Sequence, residues 1–326
     1  MDRILIIRLS SLGDIVLTQP VTVALKRKYP AAELSYLTKA QFVPIVEAMG
    51  TIDRIIAYSG SRTVFPRQRF DLAIDLHDKL STWLLRQQVK ATRTVEYDKK
   101  HLLRQLIVWH LSRASIPSTL SLYATVLRKI GFGEEEVRAL PKPALRVRLS
   151  GVPPVDIAGT GHKLIALFPG AAHETKMYPL AQWLEVIRSA DDNYRFLLLG
   201  SPAEEHLCHF LSYRCPEKTM LPGCHLGLAE LIRVIGACDL VLSNDSGPMH
   251  LAAALGKKQV ALFGATHPRL GFSPMNDNAV VLCRDLDCQP CSLHGGHACP
   301  KGHFGCMTGI PAEKILGLID QMLGDQ

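Results

Sequence analysis

The sequence predicts an α/β protein of two doubly wound domains, each a parallel sheet covered by helices on both faces. Three observations predict it. Apolar runs of strand length alternate with amphipathic helical segments in both halves of the chain, the pattern of parallel βαβ units. At 326 residues the chain is too long for one small core and suits two. Each half also carries a polar, glycine-containing turn between an apolar strand and a helix. The first is Arg8-Leu9-Ser10-Ser11-Leu12-Gly13-Asp14, and the second is Asn244-Asp245-Ser246-Gly247-Pro248. Ligands of open α/β sheets sit at such turns, outside the carboxyl ends of the strands. The two parallel sheets are therefore expected to face each other across a cleft.

Taken in order, Ile4–Leu9 reads as a buried strand and Asp14–Tyr29 as one helix. Glu33–Thr38 is a second strand and Phe42–Met49 a helix; Phe70–Leu76 is another apolar run, ending at His77-Asp78. Leu80–Gln88, Leu102–Ser112 and Ser121–Ile130 have helical spacing, the first two with basic residues at polar positions. Leu140–Gly161 contains Pro141, Pro143, Pro153 and Pro154 with three glycines, and reads as a late strand followed by a linker. It sets domains of residues 1–155 and 156–326. Strands follow at Leu164–Phe168, Phe196–Leu199, Leu240–Ser243 and Val260–Phe263. Helices are expected at Leu180–Ala190, Glu204–Leu211, Leu228–Ala237, Pro248–Leu255 and, closing the chain, Ala312–Leu323. Residues 283–306 break the alternation and are rich in Cys, His and Gly.

No run of eighteen apolar residues is present, so no helix is expected to span a membrane. A strand begins almost at once, which leaves no room for a signal peptide. The nine cysteines then read as reduced thiols or metal ligands, not as a disulfide framework. The net charge of +7 is uneven: residues 1–150 carry +11 and residues 151–326 carry −4. A basic first domain suits an acidic partner such as nucleic acid, a phosphorylated glycan or an anionic membrane surface; a solvated basic face explains it equally.

Several residues can carry chemistry. Gly13 lets backbone approach a ligand, and Asp14 opens a helix, either as a plain N-cap or as a functional carboxylate. The spacing is not that of a dinucleotide fingerprint. After Phe168 the loop Pro169-Gly170-Ala171-Ala172-His173-Glu174-Thr175-Lys176 offers backbone N–H groups and one ammonium, enough to hold a diphosphate without a metal. Glu204, just after a strand, can accept from ribose hydroxyls or simply favour a helix start. Pro248 suits a first helical position, with Ser246 or Gly247 as cap. The N–H groups behind it can bind phosphate. Asp245 would repel phosphate and suits sugar hydroxyls or the orienting of Lys176. His250 lies one turn further in, and a lone histidine there suits a structural place as well as a functional one. Finally, Cys288, Cys291, Cys299 and Cys306 begin with a C-x2-C pair, which fits either a structural zinc site or packing thiols.

At this point the pattern resembles a known family. Arg8-Leu9-Ser10-Ser11-Leu12-Gly13-Asp14-Ile15-Val16-Leu17-Thr18-Gln19-Pro20 looks like the opening signature of glycosyltransferase family 9, the ADP-heptose:lipopolysaccharide heptosyltransferases. Asn244-Asp245-Ser246-Gly247-Pro248-Met249-His250-Leu251-Ala252-Ala253-Ala254-Leu255-Gly256 is similar to its second signature, and Phe70–Leu76 and Phe168-Pro169-Gly170-Ala171 fit between them. The resemblance covers nearly the whole chain. It implies a GT-B fold of two Rossmann-like domains, the first for the acceptor and the second for the nucleotide-sugar. It implies inverting transfer of heptose from ADP-heptose to the inner core of lipopolysaccharide, with no cofactor required for catalysis. By position, Asp14 is the base and Lys176 the second catalytic group. Ser10, Ser11, Gly13, Ala171, Ala172, Glu204, Asp245, Ser246, Gly247 and His250 fall in the donor-binding motifs. Some members carry Thr-Thr where this chain has Ala171-Ala172, which preserves backbone contacts and loses hydroxyl ones. The acceptor is acidic and the site cytoplasmic, at the inner face of the cytoplasmic membrane. Nucleic acid is not an expected partner. A transferase using another nucleotide-sugar, such as a UDP-sugar, and a zinc-containing nucleic-acid-binding module are the alternatives from outside the family.

Overall fold

The computed structural model describes residues 1–60, 63, 69–77, 80–147, 161–222 and 224–324. Eleven strands, β1 to β11, occur among them. In chain order these are Arg3–Ile7, Glu33–Lys39, Arg54–Tyr58, Phe70–Asp75, Ala91–Glu96, Lys163–Phe168, Tyr194–Leu198, Thr219–Met220, Leu240–Asn244, Lys258–Phe263 and Ala279–Cys283. Helices α1 to α8 span Leu12–Val16, Gln19–Lys28, Val43–Ala48, Leu80–Gln88, His101–Val108, Thr119–Tyr123, Thr125–Lys129 and Glu134–Arg138. Helices α9 to α14 span Leu180–Ser189, Glu205–Arg214, Leu228–Ala237, Gly247–Ala254, Gly305–Thr308 and Ala312–Leu323.

The chain forms two compact units. Unit 1 comprises Met1–His101 and Ser118–Arg146; unit 2 comprises Leu102–Pro117 and Val147–Gln326. The boundary expected at 155/156 lies outside the described residues, as does Asp78. Residues 102–117 join unit 2 through the Ile116 N–H, which donates to Arg269 O at 2.8 Å, and through Arg104 Nε, which donates to Leu270 O at 3.3 Å.

In unit 1 the sheet order is β3-β2-β1-β4-β5, all parallel. In unit 2 it is β11-β10-β9-β6-β7-β8, again parallel. Both orders start in the middle, run to one edge, then return and fill the other side, the doubly wound arrangement. The order reverses between β1 and β4 in unit 1 and between β6 and β9 in unit 2. Ligands are expected at the carboxyl ends of those strand pairs.

The central strands are apolar because both faces are covered. Ile4, Leu5, Ile6 and Ile7 are wholly buried, each stabilising the fold by roughly 1.5–3 kcal/mol relative to exposure. Edge strands lack that signature. β3, β5, β8 and β11 went unread in the sequence; in β5 only Val95 is buried, β8 is two residues long, and β3 and β11 each bury one side chain. The single helix expected over Asp14–Tyr29 is two helices. Pro20 in the first turn of α2 has no N–H to continue the earlier helix, and Thr18 Oγ1 donates to Ile15 O at 2.7 Å where α1 ends. Ser121–Ile130 likewise divides, into α6 and α7. The late strand expected from Leu140 is not present over residues 140–147, where Pro141 and Pro143 remove two donors. No helix among the described residues is long and apolar enough to cross a membrane.

Candidate active site

The site of unit 1 is built on the turn from β1 to α1, beside the end of β4. Asp14 lies at the third position of α1 and closes a capping box with Ser11. Its Oδ2 accepts from the Ser11 N–H at 3.2 Å and from Ser11 Oγ at 2.7 Å. The same oxygen meets Arg8 Nη2 at 2.6 Å, and Tyr123 Oη donates to Oδ1 at 3.2 Å. Asp14 is therefore not the N-cap itself, which is Ser11, but its capping-box partner, and it is also the carboxylate of a polar cluster. Arg8 is buried, donates through Nη1 to Leu76 O at the end of β4, and lies 5.6 Å from the Tyr123 ring centre. Burial opposes the charge of Arg8, but Tyr123, Asp14 and Tyr97 around it outweigh that effect and raise its pKa. Tyr123 is itself held neutral, chiefly by burial, and packs edge-on against Tyr97 with ring centres 4.9 Å apart. Ser10 and Gly13 flank this cluster in unit 1, Gly13 buried and Ser10 half-buried.

In unit 2 the switch point carries a second ion pair. Lys176 Nζ lies 2.8 Å from Asp245 Oδ2, with both side chains largely buried. Thr266 Oγ1 donates to the same oxygen at 2.7 Å. Asp245 thus orients Lys176, one of the two roles open to it from sequence. Asn244, the last residue of β9, joins the loop after β6. Its Nδ2 donates to Pro169 O at 2.9 Å and to Gly170 O at 3.0 Å, and its Oδ1 accepts from the Tyr178 N–H at 3.0 Å. Ala171 is buried and Ala172 exposed on that loop. Glu204 closes a capping box with Ser201, accepting from its N–H at 2.7 Å and its Oγ at 2.8 Å. The carboxylate also fills the space where a side chain at Gly170 would stand, so the loop needs glycine there. Ser246 caps α12, Gly247 is its first residue and Pro248 its second, one place later than the sequence suggested. Ser246 Oγ is buried with no partner among the described residues, and His250 is buried.

The cysteine-rich segment braces this loop. The Thr175 N–H donates to Gly296 O at 3.1 Å, and the Gly296 N–H donates back to Thr175 Oγ1 at 2.8 Å. Gly295 adopts φ +97°, and a Cβ there would stand 2.7 Å from His173 Cβ and 3.0 Å from Lys176 Cδ. The structure lends no support to the zinc reading of Cys288, Cys291, Cys299 and Cys306. Among the described residues no three His, Cys, Asp or Glu side chains are grouped to hold a metal. Instead Cys291 Sγ donates to Cys288 O at 2.8 Å, and Cys306 is buried in the apolar core of unit 2. Burial, with the nearby Cys288, Cys306 and Cys299, pushes the Cys291 thiol up to about 12; burial, with Cys299 and Cys288, pushes that of Cys306 up to about 11.

Arg8, Tyr123, Thr175, Asn244 and Thr266 were not singled out as site residues from the sequence alone. Arg8 and Asn244 had a signal in their place at strand exits; the others reach the sites only through tertiary packing.

The model of glycosyltransferase family 9 (heptosyltransferase) matches residues 64–298. The chain belongs to glycosyltransferase family 9. Among relatives of this family 9 protein, lipooligosaccharide heptosyltransferase 2 of Campylobacter jejuni is 32% identical over 165 residues, 49% of this chain and 51% of the relative. The chain thus spans about half the length of that relative. Lipopolysaccharide heptosyltransferase 3 of Escherichia coli is 25% identical over 295 residues, covering 82% of this chain and 85% of the relative. The fold matches that of Escherichia coli ADP-heptose LPS heptosyltransferase II, with a TM-score of 0.76 at 20% identity over 99% of this chain and 98% of that one. The family 9 protein therefore has the GT-B fold, with two Rossmann-like domains.

Proposed function

We propose that this protein is an inverting glycosyltransferase that moves a heptose from ADP-heptose to the inner core of lipopolysaccharide. The observation that carries the reading is the Lys176–Asp245 pair at the switch point of unit 2, whose Asp245 lies in the second family signature. Relatives over most of the chain bear the name lipopolysaccharide heptosyltransferase, and a structural neighbour of the same fold is described with ADP bound.

In this mechanism an acceptor hydroxyl attacks the anomeric carbon as the bond to the diphosphate breaks. The hydroxyl proton passes to Asp14, which has one oxygen shared by Arg8 and Ser11 and the other by Tyr123. Arg8 balances the carboxylate's charge before the reaction. The departing ADP gains negative charge, which the Lys176 ammonium and the N–H groups at the start of α12 stabilise electrostatically. Asp245 holds Lys176 in place, and the Ser246 hydroxyl offers a donor to the same group. The chemistry needs no cofactor if these donors suffice. The basic first half of the chain, at +11, suits an acceptor bearing carboxylates and phosphates. Such an acceptor is lipid-linked, which places the enzyme on the cytoplasmic face of the inner membrane.

The test is transfer from ADP-heptose to a panel of truncated lipopolysaccharide cores, with a UDP-sugar in parallel. Product with the ADP donor alone supports the reading. Thermal protection by UDP and not ADP, with transfer from the UDP-sugar, replaces it with the other donor class.

A further inference from the structure

The helix α5 and the turn after it carry an apolar surface that none of the described residues covers. Leu102, Trp109 and Leu111 are 71%, 60% and 72% exposed, three of the few large apolar side chains so exposed in the protein. Leu102 and Trp109 are seven residues apart, two helical turns, and so share a face. The opposite face is anchored: Ile107 is buried, and Arg104 is buried with its guanidinium 4.6 Å from the Phe272 ring centre. The helix is therefore fixed with its apolar stripe outward.

The chain segment that carries this stripe is basic. From Lys99 to Pro117 the chain holds four Lys/Arg and no Asp or Glu. Arg113, His101 and His110 are exposed beside the apolar residues. Lys301 lines a 360 Å³ cavity with Val108 and His110, and the acid on that cavity is Asp287. Just upstream, Asp98 pairs with Lys100 at 2.6 Å. A tryptophan and two leucines rimmed by cations match the interface of a bilayer with anionic headgroups, where the ring sits at headgroup level and the cations meet phosphate.

We infer that Leu102, Trp109 and Leu111 dock on an anionic lipid surface, with Arg113 and Lys301 supplying the charge complementarity. This deepens the proposed function by naming the surface that would bring the enzyme to a lipid-linked acceptor. It is testable without transferase activity.

The experiment uses the full chain and vesicles of phosphatidylcholine, alone or mixed with phosphatidylglycerol. The parent is expected to sediment with the mixed vesicles and not with the zwitterionic ones. Brominated lipid should quench its tryptophan emission. Trp109→Ser with Leu111→Ser should lose the quench and weaken binding by about tenfold or more, with an unchanged melting curve. Replacing Arg113 and Lys301 by Gln should weaken binding by about fivefold per residue. Both variants should still act on a water-soluble, lipid-free core acceptor as the parent does. Failure of that soluble reaction in the parent would count against the proposed function and leave the lipid result standing. A parent that ignores mixed vesicles, or a serine variant that binds them equally, overturns the inference. So does a parent that is a dimer dissociated by the serine substitutions, since the surface then belongs to a second copy.

Discussion

Arg8 Nη2 and Asp14 Oδ2 stand 2.6 Å apart, with the guanidinium buried and the carboxylate about a quarter exposed. The pair joins the end of β1 to the first helix, and Arg8 also donates to Leu76 O, so one side chain fixes the carboxylate against two strands. Arg8→Met removes the partner and leaves Asp14 to seek water through its exposed side. The expected result is a fall in kcat of about tenfold or more, because the proposed base is no longer held in line, while ADP affinity, which the proposed function assigns to unit 2, is retained. Steady-state kinetics beside ADP calorimetry checks this. Loss of ADP affinity together with kcat would show a general disruption instead.

Lys176→Ala should weaken ADP binding and slow transfer, since a charge-assisted contact is worth about 1.5–3 kcal/mol. It also leaves Asp245, whose side chain is 7% exposed, without the ammonium and with the Thr266 hydroxyl still donating to it. A lower melting temperature is therefore expected as well. Asp245→Asn with Lys176→Ala should recover part of that stability without recovering activity. A double variant that melts below the single would contradict the pairing.

Gly295→Ala forces a methyl group against His173 and Lys176 at a φ of +97°. The variant should raise the KM for the donor more than it lowers kcat for a bound one, because the loop holding Lys176 is displaced. Thr175→Val removes the Oγ1 that accepts from the Gly296 N–H and should act in the same direction. Thr175→Ser keeps that bond and should restore the parental KM.

Thiol reactivity should separate the cysteines of the segment. Burial opposes the Cys299 thiolate, but the backbone N–H groups of Phe304, Lys301, Gly302 and His303 outweigh it and lower the pKa. Burial holds Cys291 up to about 12. At a pH between the two, Cys299 is the thiolate and Cys291 remains protonated, so iodoacetamide should label Cys299 first. Peptide mapping after a short pulse reads the order. Cys291 labelled before Cys299 in the folded protein contradicts the environment described for them.

Much of this architecture was legible in the residues. Leu228–Ala237 and Ala312–Leu323 are helices to the residue, because apolar positions at helical spacing face a sheet that hides them. Both central strands with their turns were legible for the same reason. β5 was not, since an edge strand buries one side chain and carries no apolar run. In the sites, Asp14, Lys176 and Asp245 stood out as charged residues at strand exits. Tyr123 is 109 residues from Asp14 and Thr266 is 21 from Asp245, and no local spacing announces either. The spacing of the cysteines suggested ligands, but among the described residues no three ligand side chains group to hold a metal, and Cys306 packs in the apolar core of unit 2.

The most direct measurement is the rate of transfer by Asp14→Asn at saturating donor and acceptor, beside a melting curve and ADP titration. Asn retains the shape and can still cap α1, but it cannot balance the buried Arg8, so some stability is lost. At a temperature where the variant remains folded, turnover should fall by about 10²- to 10⁴-fold, the usual contribution of a general base, with ADP binding unchanged. Turnover within a few-fold of the parent, in a folded variant that binds ADP, contradicts Asp14 as the base.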